Sequence, residues 1–164
     1  MTHQDIQSKL QDEISTVLGS RPPTLADKQS LPYCEAVIEE VMRISPLAFF
    51  AVPHVASKDT TIGKYFCPKG TTVCQNSLNH LLSMASYPLT FFIQAILFTG
   101  GFQLSEKHFK DPRVFKPERF IDDGGKFKAS DVNGVFSFGK RRCPGEILAR
   151  AEVRRELYEY TISF

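Results

Sequence analysis

The sequence predicts a mainly α protein with a small β-sheet, an α+β chain, and three observations carry that expectation. Apolar residues recur at helical spacing over Gln4–Leu18, again over about Pro32–Ile44, and once more from about Pro144 to Tyr160. Between the second and third of these lie three short runs rich in aromatic and β-branched residues. At 164 residues there is room for one modest core, not for two full domains.

Each element has its local reason. In the first helix Ile6, Leu10, Ile14, Val17 and Leu18 form the apolar stripe, Lys9 and Glu13 stand four apart on the polar side, and Gly19 ends the helix. GSRPPTLAD reads as a loop, because Pro22–Pro23 denies continuation and Asp27 to Ser30 is polar. The second helix has Ser30 or Leu31 at its mouth and Pro32 in its first turn; Val37, Val41 and Ile44 share a face, and Ser45–Pro46 stops it. FFAVPHV, DTTIGKYF and GTTVCQ are the expected strands, separated by SKD and CPKG turns, with Pro53 suited to an edge or bulged strand. HFKDPRVFKPERFIDDGGKFK has prolines, close charges and four phenylalanines without a lasting period, so an irregular but anchored meander is expected. Its Gly124–Gly125 is a turn signal and lacks the context of a phosphate cradle. In the last helix Ile147, Leu148, Ala151, Leu157 and Tyr160 form an imperfect stripe, broken by Arg154, Arg155 and Glu156.

Leu81 to Gly101 contains no charged residue over 21 positions, just long enough to cross a bilayer's hydrocarbon layer. Its Ser83, Ser86, Tyr87, Pro88, Thr90, Gln94 and Thr99 make it less apolar than a typical span. A membrane span, a buried or interfacial hydrophobic helix, and a poorly accommodated insertion covering 81–109 are the three readings.

Composition excludes little else. Net charge +2, pI about 8.3 and 42% hydrophobic content give no support for a nucleic-acid-binding arm, an acidic tail or wholesale disorder. Cysteines 34, 67, 74 and 143 have neither CxxC pairing nor zinc spacing, which favours a reducing, intracellular setting. MTHQDIQSKLQDE is polar, without the apolar core of a signal peptide or anchor. His80 and His108 have no metal-ligand spacing and are expected to be noncatalytic.

The strongest chemical signal is FSFGKRRCPGEILAR, where Cys143 sits in a glycine-bracketed, arginine-containing loop opening into a helix. Backbone N–H groups at such a mouth can stabilise a thiolate. Gly139 would permit a close turn, Arg141 would offer a cation to an acidic cofactor group, and Gly145 would allow close backbone packing. A buried structural cysteine is the plainer alternative. Glu40 and Arg43, three apart, project on one side of their helix and could pair, an exposed surface pair being the plainer alternative.

The pattern Phe136-x-x-Gly139-x-Arg141-x-Cys143-x-Gly145 resembles the haem-binding loop of the cytochrome P450 monooxygenases. Glu40-Val41-Met42-Arg43 resembles the family's Glu-x-x-Arg helix, and Pro117-Glu118-Arg119-Phe120 its meander motif. The likeness covers roughly Ile6–His80 and Lys110–Ala151 and is best to the animal microsomal members. It implies a partial cytochrome P450 fold: the C-terminal helices, the meander and the proximal haem loop of a family about three times as long. The anchor, the substrate cover and the distal oxygen-activating helix are expected to be missing.

The resemblance further implies haem b, with Cys143 as axial iron ligand and Phe136, Gly139, Arg141, Gly145 and His54 as cofactor-binding residues. Arg141 and His54 would face propionates, while Glu40, Arg43 and Arg119 would form a structural triad. Leu47 to Ala51 resemble a substrate-contacting segment. Implied partners are an NADPH-dependent reductase, meeting a basic surface at Lys140 and Arg142, and a small apolar organic substrate, with no nucleic acid. The implied setting is the cytoplasmic face of the endoplasmic reticulum membrane, with possible membrane surface contact. The alternatives are a noncatalytic fragment and a membrane-associated interaction protein.

Overall fold

The computed structural model describes residues 3–45, 53–76, 94–98, 103–130 and 133–162, and only the backbone at 74–76, 94–98, 141 and 162. Among the described residues there are three α-helices, α1 (Gln4–Leu18), α2 (Pro32–Ile44) and α3 (Glu146–Ile162). The described residues also hold five strands: β1 (His54–Val55), β2 (Thr60–Ile62), β3 (Tyr65–Cys67), β4 (Thr72–Asn76) and β5 (Gln94–Phe98). The chain is mainly α with small sheets, as the sequence predicts, and divides into two compact units. One gathers the three helices and the 113–130 meander; the other holds the strands.

The helical unit is built on the predicted stripe of α1. Ile6, Leu10, Ile14 and Leu18 are buried against Leu31, Cys34 and Val37 around α2 and Tyr158 of α3. Each large aliphatic side chain buried this way contributes roughly 1.5–3 kcal/mol. Gly19, at φ +59°, ends α1 as expected.

The polar side of α1 departs from the expected Lys9–Glu13 pair. Glu13 Oε1 accepts the Tyr33 N–H at 2.9 Å and Glu13 Oε2 the Cys34 N–H at 2.8 Å. Those amides open α2, whose capping position, Leu31, has no side-chain acceptor. Unpaired amides at a helix mouth draw a carboxylate more strongly than an exposed lysine one turn away. Lys9 Nζ donates instead to Glu118 Oε1, 3.0 Å away.

The polar stretch read as loop is a 3-10 turn, Leu25–Ser30, opened by a reciprocal capping box between Thr24 and Asp27. The Thr24 N–H donates to Asp27 Oδ2 at 2.7 Å, and Arg21 Nη1 donates to the same oxygen at 2.9 Å. A four-residue device of this kind leaves no apolar period to detect.

The expected faces of α2 and α3 also need correction. Val37 is buried and Ile44 half-buried, but Val41 is 43% exposed, while Glu35, Glu39, Glu40 and Arg43 are all buried. On α3 the stripe residues Ile147, Leu148 and Tyr160 are exposed, and the buried residues are Arg154 and Tyr158. Charge pairing between the helices is the reason. Arg154 Nε and Nη2 donate to the two oxygens of Glu35, and Arg150 Nη1 donates to Glu39 Oε2 at 2.6 Å. Partners four residues apart on each helix, in opposite sequence order, set α2 and α3 antiparallel in one register. The charges read as interrupting the stripe are the contact itself.

In the second unit one sheet has the order β1-β4-β5, with β1 antiparallel to β4 (His54↔Val73) and β4 parallel to β5 (Thr72↔Gln94 through Asn76↔Phe98). Pro53 precedes β1, an edge strand, as predicted. DTTIGKYF is not one strand but the hairpin β2–β3, folded at Gly63 with φ +60°. At Gln94–Phe98 the uncharged segment is a strand, so there it is neither a spanning nor a buried helix; 81–93 and 99–101 lie outside the described residues. Among the described residues no helix is long and apolar enough to cross a membrane.

The Arg21 guanidinium, followed by the Thr24 amide, holds the Asp27 carboxyl well below the usual carboxylate range. The folded chain therefore releases this proton more readily than the unfolded chain. That contribution is full above about pH 4 and is lost as pH falls toward the depressed folded value. Asp27→Asn is expected to flatten the acid side of the stability–pH curve, measured by urea unfolding at a series of pH values. An unchanged acid slope would contradict this.

Candidate functional site

The Pro117–Phe120 turn packs on α2, and each of its residues has a task there. Pro117 and Phe120 are buried. Glu118 Oε1 accepts from Lys9 at 3.0 Å and from the Tyr33 hydroxyl at 3.2 Å. Burial pushes the Glu118 carboxyl up, but the backbone and Lys9 hydrogen bonds outweigh it and hold it below its ordinary value. Arg119 Nε donates to Glu40 Oε1 at 3.2 Å, and its Nη2 donates to the Val114 carbonyl at 3.2 Å.

Glu40 is the centre of this arrangement. Arg43 Nε and Nη2 donate to its two oxygens at 2.7 and 2.8 Å, and the Lys116 N–H donates to Oε1 at 2.8 Å. Both Glu40 and Arg43 have side chains with 0% exposure. The structure thus brings Glu40, Arg43 and Arg119 together, and adds a backbone donor that the residue pattern did not suggest.

The Cys143 loop is closed by backbone bonds. The Cys143 N–H donates to the Phe136 carbonyl at 2.9 Å, and the Arg142 N–H to the Gly139 carbonyl at 3.1 Å, across one 3-10 turn, Gly139–Arg141. Ser137 and Gly139 take left-handed backbone, φ +67° and φ +73°. Cys143 is free and exposed, whereas Cys34 and Cys67 are buried. Burial, then the Glu13 hydrogen bond, pushes the Cys34 thiol far up, leaving it a protonated core residue.

Gly145 differs from the expected close backbone packing. A Cβ there would have Cys143 Sγ as its nearest contact, at 3.8 Å. It would therefore lie in ordinary van der Waals contact with the sulfur, with no backbone atom within 4 Å. Phe138, Ile147 and Leu148, flanking Cys143 in sequence, are all at least half exposed.

Arg142 donates to Glu146 Oε1 at 2.6 Å, and Arg150 Nε to the same oxygen at 3.0 Å. Burial raises the Glu146 carboxyl, but these hydrogen bonds from Arg142 and then Arg150 bring it below its ordinary value. Arg150, Glu39 and Glu146 were missed in the sequence, because Arg150 and Glu39 lie 111 residues apart. His54 is exposed on β1, in the other unit. The His108 N–H donates to the Ser105 carbonyl at 3.0 Å; His80 and 46–52 lie outside the described residues.

The family profile for Cytochrome P450 matches residues 1–88 and 93–157, taking in the Glu40–Arg43 helix, the Pro117–Phe120 turn and the Cys143 loop. The chain belongs to the cytochrome P450 family. It is 39% identical over 154 residues to "Cytochrome P450 2E1" of Oryctolagus cuniculus, covering 93% of this chain and 27% of that protein. It is 40% identical over 148 residues to "Cytochrome P450 2M1" of Oncorhynchus mykiss and 39% identical over 153 residues to "Cytochrome P450 1A1" of Cavia porcellus. In both cases the match covers 90% of this chain and 25% of the relative. The chain therefore spans about a quarter of the length of these relatives, less than the expected third.

The residues present fit a haem at Cys143. Among the described residues no group of three His, Cys, Asp or Glu side chains could hold a metal ion. A porphyrin brings four nitrogen donors of its own, so one exposed thiol with exposed apolar side chains flanking it in sequence is a donor set that suits it.

Two stability measurements follow from this geometry. Arg43→Met leaves Glu40 buried without its nearest cation and is expected to cost about 3–5 kcal/mol. Lys9→Met, at an exposed pair, is expected to cost less than about 1 kcal/mol. Equal losses in urea unfolding would contradict the difference in burial. Gly139→Ala meets no atom within 4 Å, so its expected cost of about 1–2 kcal/mol comes from backbone conformation alone; a neutral result would show that the positive φ is not required.

Proposed function

We propose that this chain carries the thiolate side of a haem-thiolate monooxygenase site, with Cys143 as the residue that would hold the iron of haem b. The observation that carries the reading is an exposed, free Cys143 in a backbone-closed loop, within the stretch matched by the P450 family. When bound, the haem would supply the redox chemistry that inserts one atom of O2 into an apolar organic substrate, using electrons from NADPH delivered by a reductase.

The chain's own residues have distinct tasks in this reading. Cys143 Sγ would hold the haem iron as a thiolate. Phe138, Ile147 and Leu148 would exclude water from the sulfur side. Phe136 and Gly139 shape the loop, and Gly145 keeps a side chain from standing beside the sulfur. Arg141 would hold the carboxylate edge of the cofactor, while Lys140 and Arg142 would offer a basic face to an acidic reductase. Glu40, Arg43 and Arg119 are scaffold, their charges committed to one another rather than to proton transfer.

The same family reading puts the protein at the endoplasmic reticulum membrane, in contact with its cytoplasmic surface. It takes 1–164 as a single partial P450 domain with 81–109 inserted.

The test is the reduced, carbon-monoxide difference spectrum of the purified chain after haem reconstitution, compared with Cys143→Ala. A thiolate-type Soret band in the wild type that is absent from the variant is expected. Identical spectra would overturn the ligand assignment. NADPH-dependent substrate oxidation with added reductase would then separate turnover from haem binding without catalysis.

A further inference from the structure

Arg150 touches three groups that belong to different parts of the frame around Cys143. Its Nη1 donates to Glu39 Oε2 of α2 at 2.6 Å, its Nε donates to Glu146 Oε1 at 3.0 Å, and its Cζ lies 5.2 Å from the centre of the Phe136 ring. Phe136 is the residue whose carbonyl accepts the Cys143 N–H, and Glu146 is the first residue of α3. We propose that Arg150 is the positioning residue for Cys143, one guanidinium clamping both ends of the 136–146 loop to the buried Glu39.

The chemistry of the side chain suits that task. A guanidinium is planar, so it can place different N–H groups on two carboxylates in its plane while presenting a face to an aromatic ring. A lysine ammonium at the same place can serve one carboxylate well, but it offers no planar fork to divide between two. Arg150 is 23% exposed and Glu39 2%, so the contact is little weakened by solvent. Burial lowers the affinity of Arg150 for its proton, and the hydrogen bonds to Glu39 and Glu146 more than restore it.

The loop needs an external clamp. Ser137 and Gly139 both take left-handed backbone, a conformation that a non-glycine residue such as Ser137 keeps only where its surroundings over-determine it. One helical turn along α3, Arg154 on Glu35 fixes the register that brings Arg150 opposite Glu39. Position then passes from α2 through Arg150 to Phe136 and Glu146, and through them to the sulfur between.

The consequence for the sulfur rests on Cys143 being the iron ligand; the positioning itself does not. The full chain is compared with Arg150→Met and Arg150→Lys by amide hydrogen exchange. Arg150→Met is expected to speed exchange of the Cys143 amide at least about tenfold, with the Leu10 and Ile14 amides of α1 unchanged. Arg150→Lys, which keeps a cation facing Glu39, is expected to fall between them. An unchanged Cys143 amide would overturn the proposal, and so would an equal acceleration throughout α1, which would make Arg150 a general core residue. Carbon-monoxide difference spectra supply a second readout. If the wild type shows the Cys143-dependent band, Arg150→Met is expected to reduce it toward the neutral-thiol form and Arg150→Lys to restore part of it; a band unchanged in Arg150→Met overturns the proposal. If the wild type shows no such band, the ligand reading fails and the exchange rates alone decide the positioning.

Discussion

Four ionisable side chains of one helix, Glu35, Glu39, Glu40 and Arg43, are withdrawn from water on α2, and the helical unit is arranged so that each has its counterpart. Glu35 takes Arg154, Glu39 takes Arg150, and Glu40 takes Arg43, Arg119 and the Lys116 amide. Buried ion pairs add little net stability compared with well-packed apolar groups, because desolvation offsets most of their attraction. Losing one partner is far more costly, since the other charge stays buried. That asymmetry makes α2 strict about geometry: α3 has one charge-matched register upon it, and the meander one way to approach it.

The same pairing connects fold to site. The meander reaches Glu40 through Arg119 and the Lys116 amide, while Arg150 reaches Glu39 from within the stretch that carries Cys143. The three cysteines with described side chains separate accordingly. Cys34 and Cys67 are buried, whereas Cys143 is outside, on the loop that the pairing supports. The exposed thiol thus sits on a defined loop, with Gly145 beside its sulfur.

Much of this was legible in the sequence, for identifiable reasons. The ends of α1 and α2 follow from the period of Ile6, Leu10 and Ile14, from Gly19, and from Pro32 and Ser45–Pro46, all local signals. The glycines and arginine around Cys143 and the spacing of Glu40 and Arg43 are local features, but their roles, and the place of Arg119 beside them, follow from the resemblance to the P450 motifs. The face of α3 was misread because Arg154 is buried only in the presence of Glu35, a partner that no local pattern supplies. Arg150 escaped notice for the same reason. Lys9 and Glu13 have helical pair spacing, but the amides opening α2 compete for Glu13 and win. The Thr24–Asp27 turn and the split of DTTIGKYF at Gly63 depend on a few backbone angles, not on a period.

The most direct measurement of the central claim is the exchange rate of the Lys116 amide in the unmodified chain, followed by nuclear magnetic resonance. Lys116 lies outside every helix and strand, and its N–H has the buried Glu40 carboxylate as acceptor. If buried charge on α2 holds the meander, this amide is expected to exchange at least about a hundredfold more slowly than in an unfolded chain, on the timescale of the α2 interior. Exchange at the unfolded-chain rate, with α2 itself protected, would contradict the account.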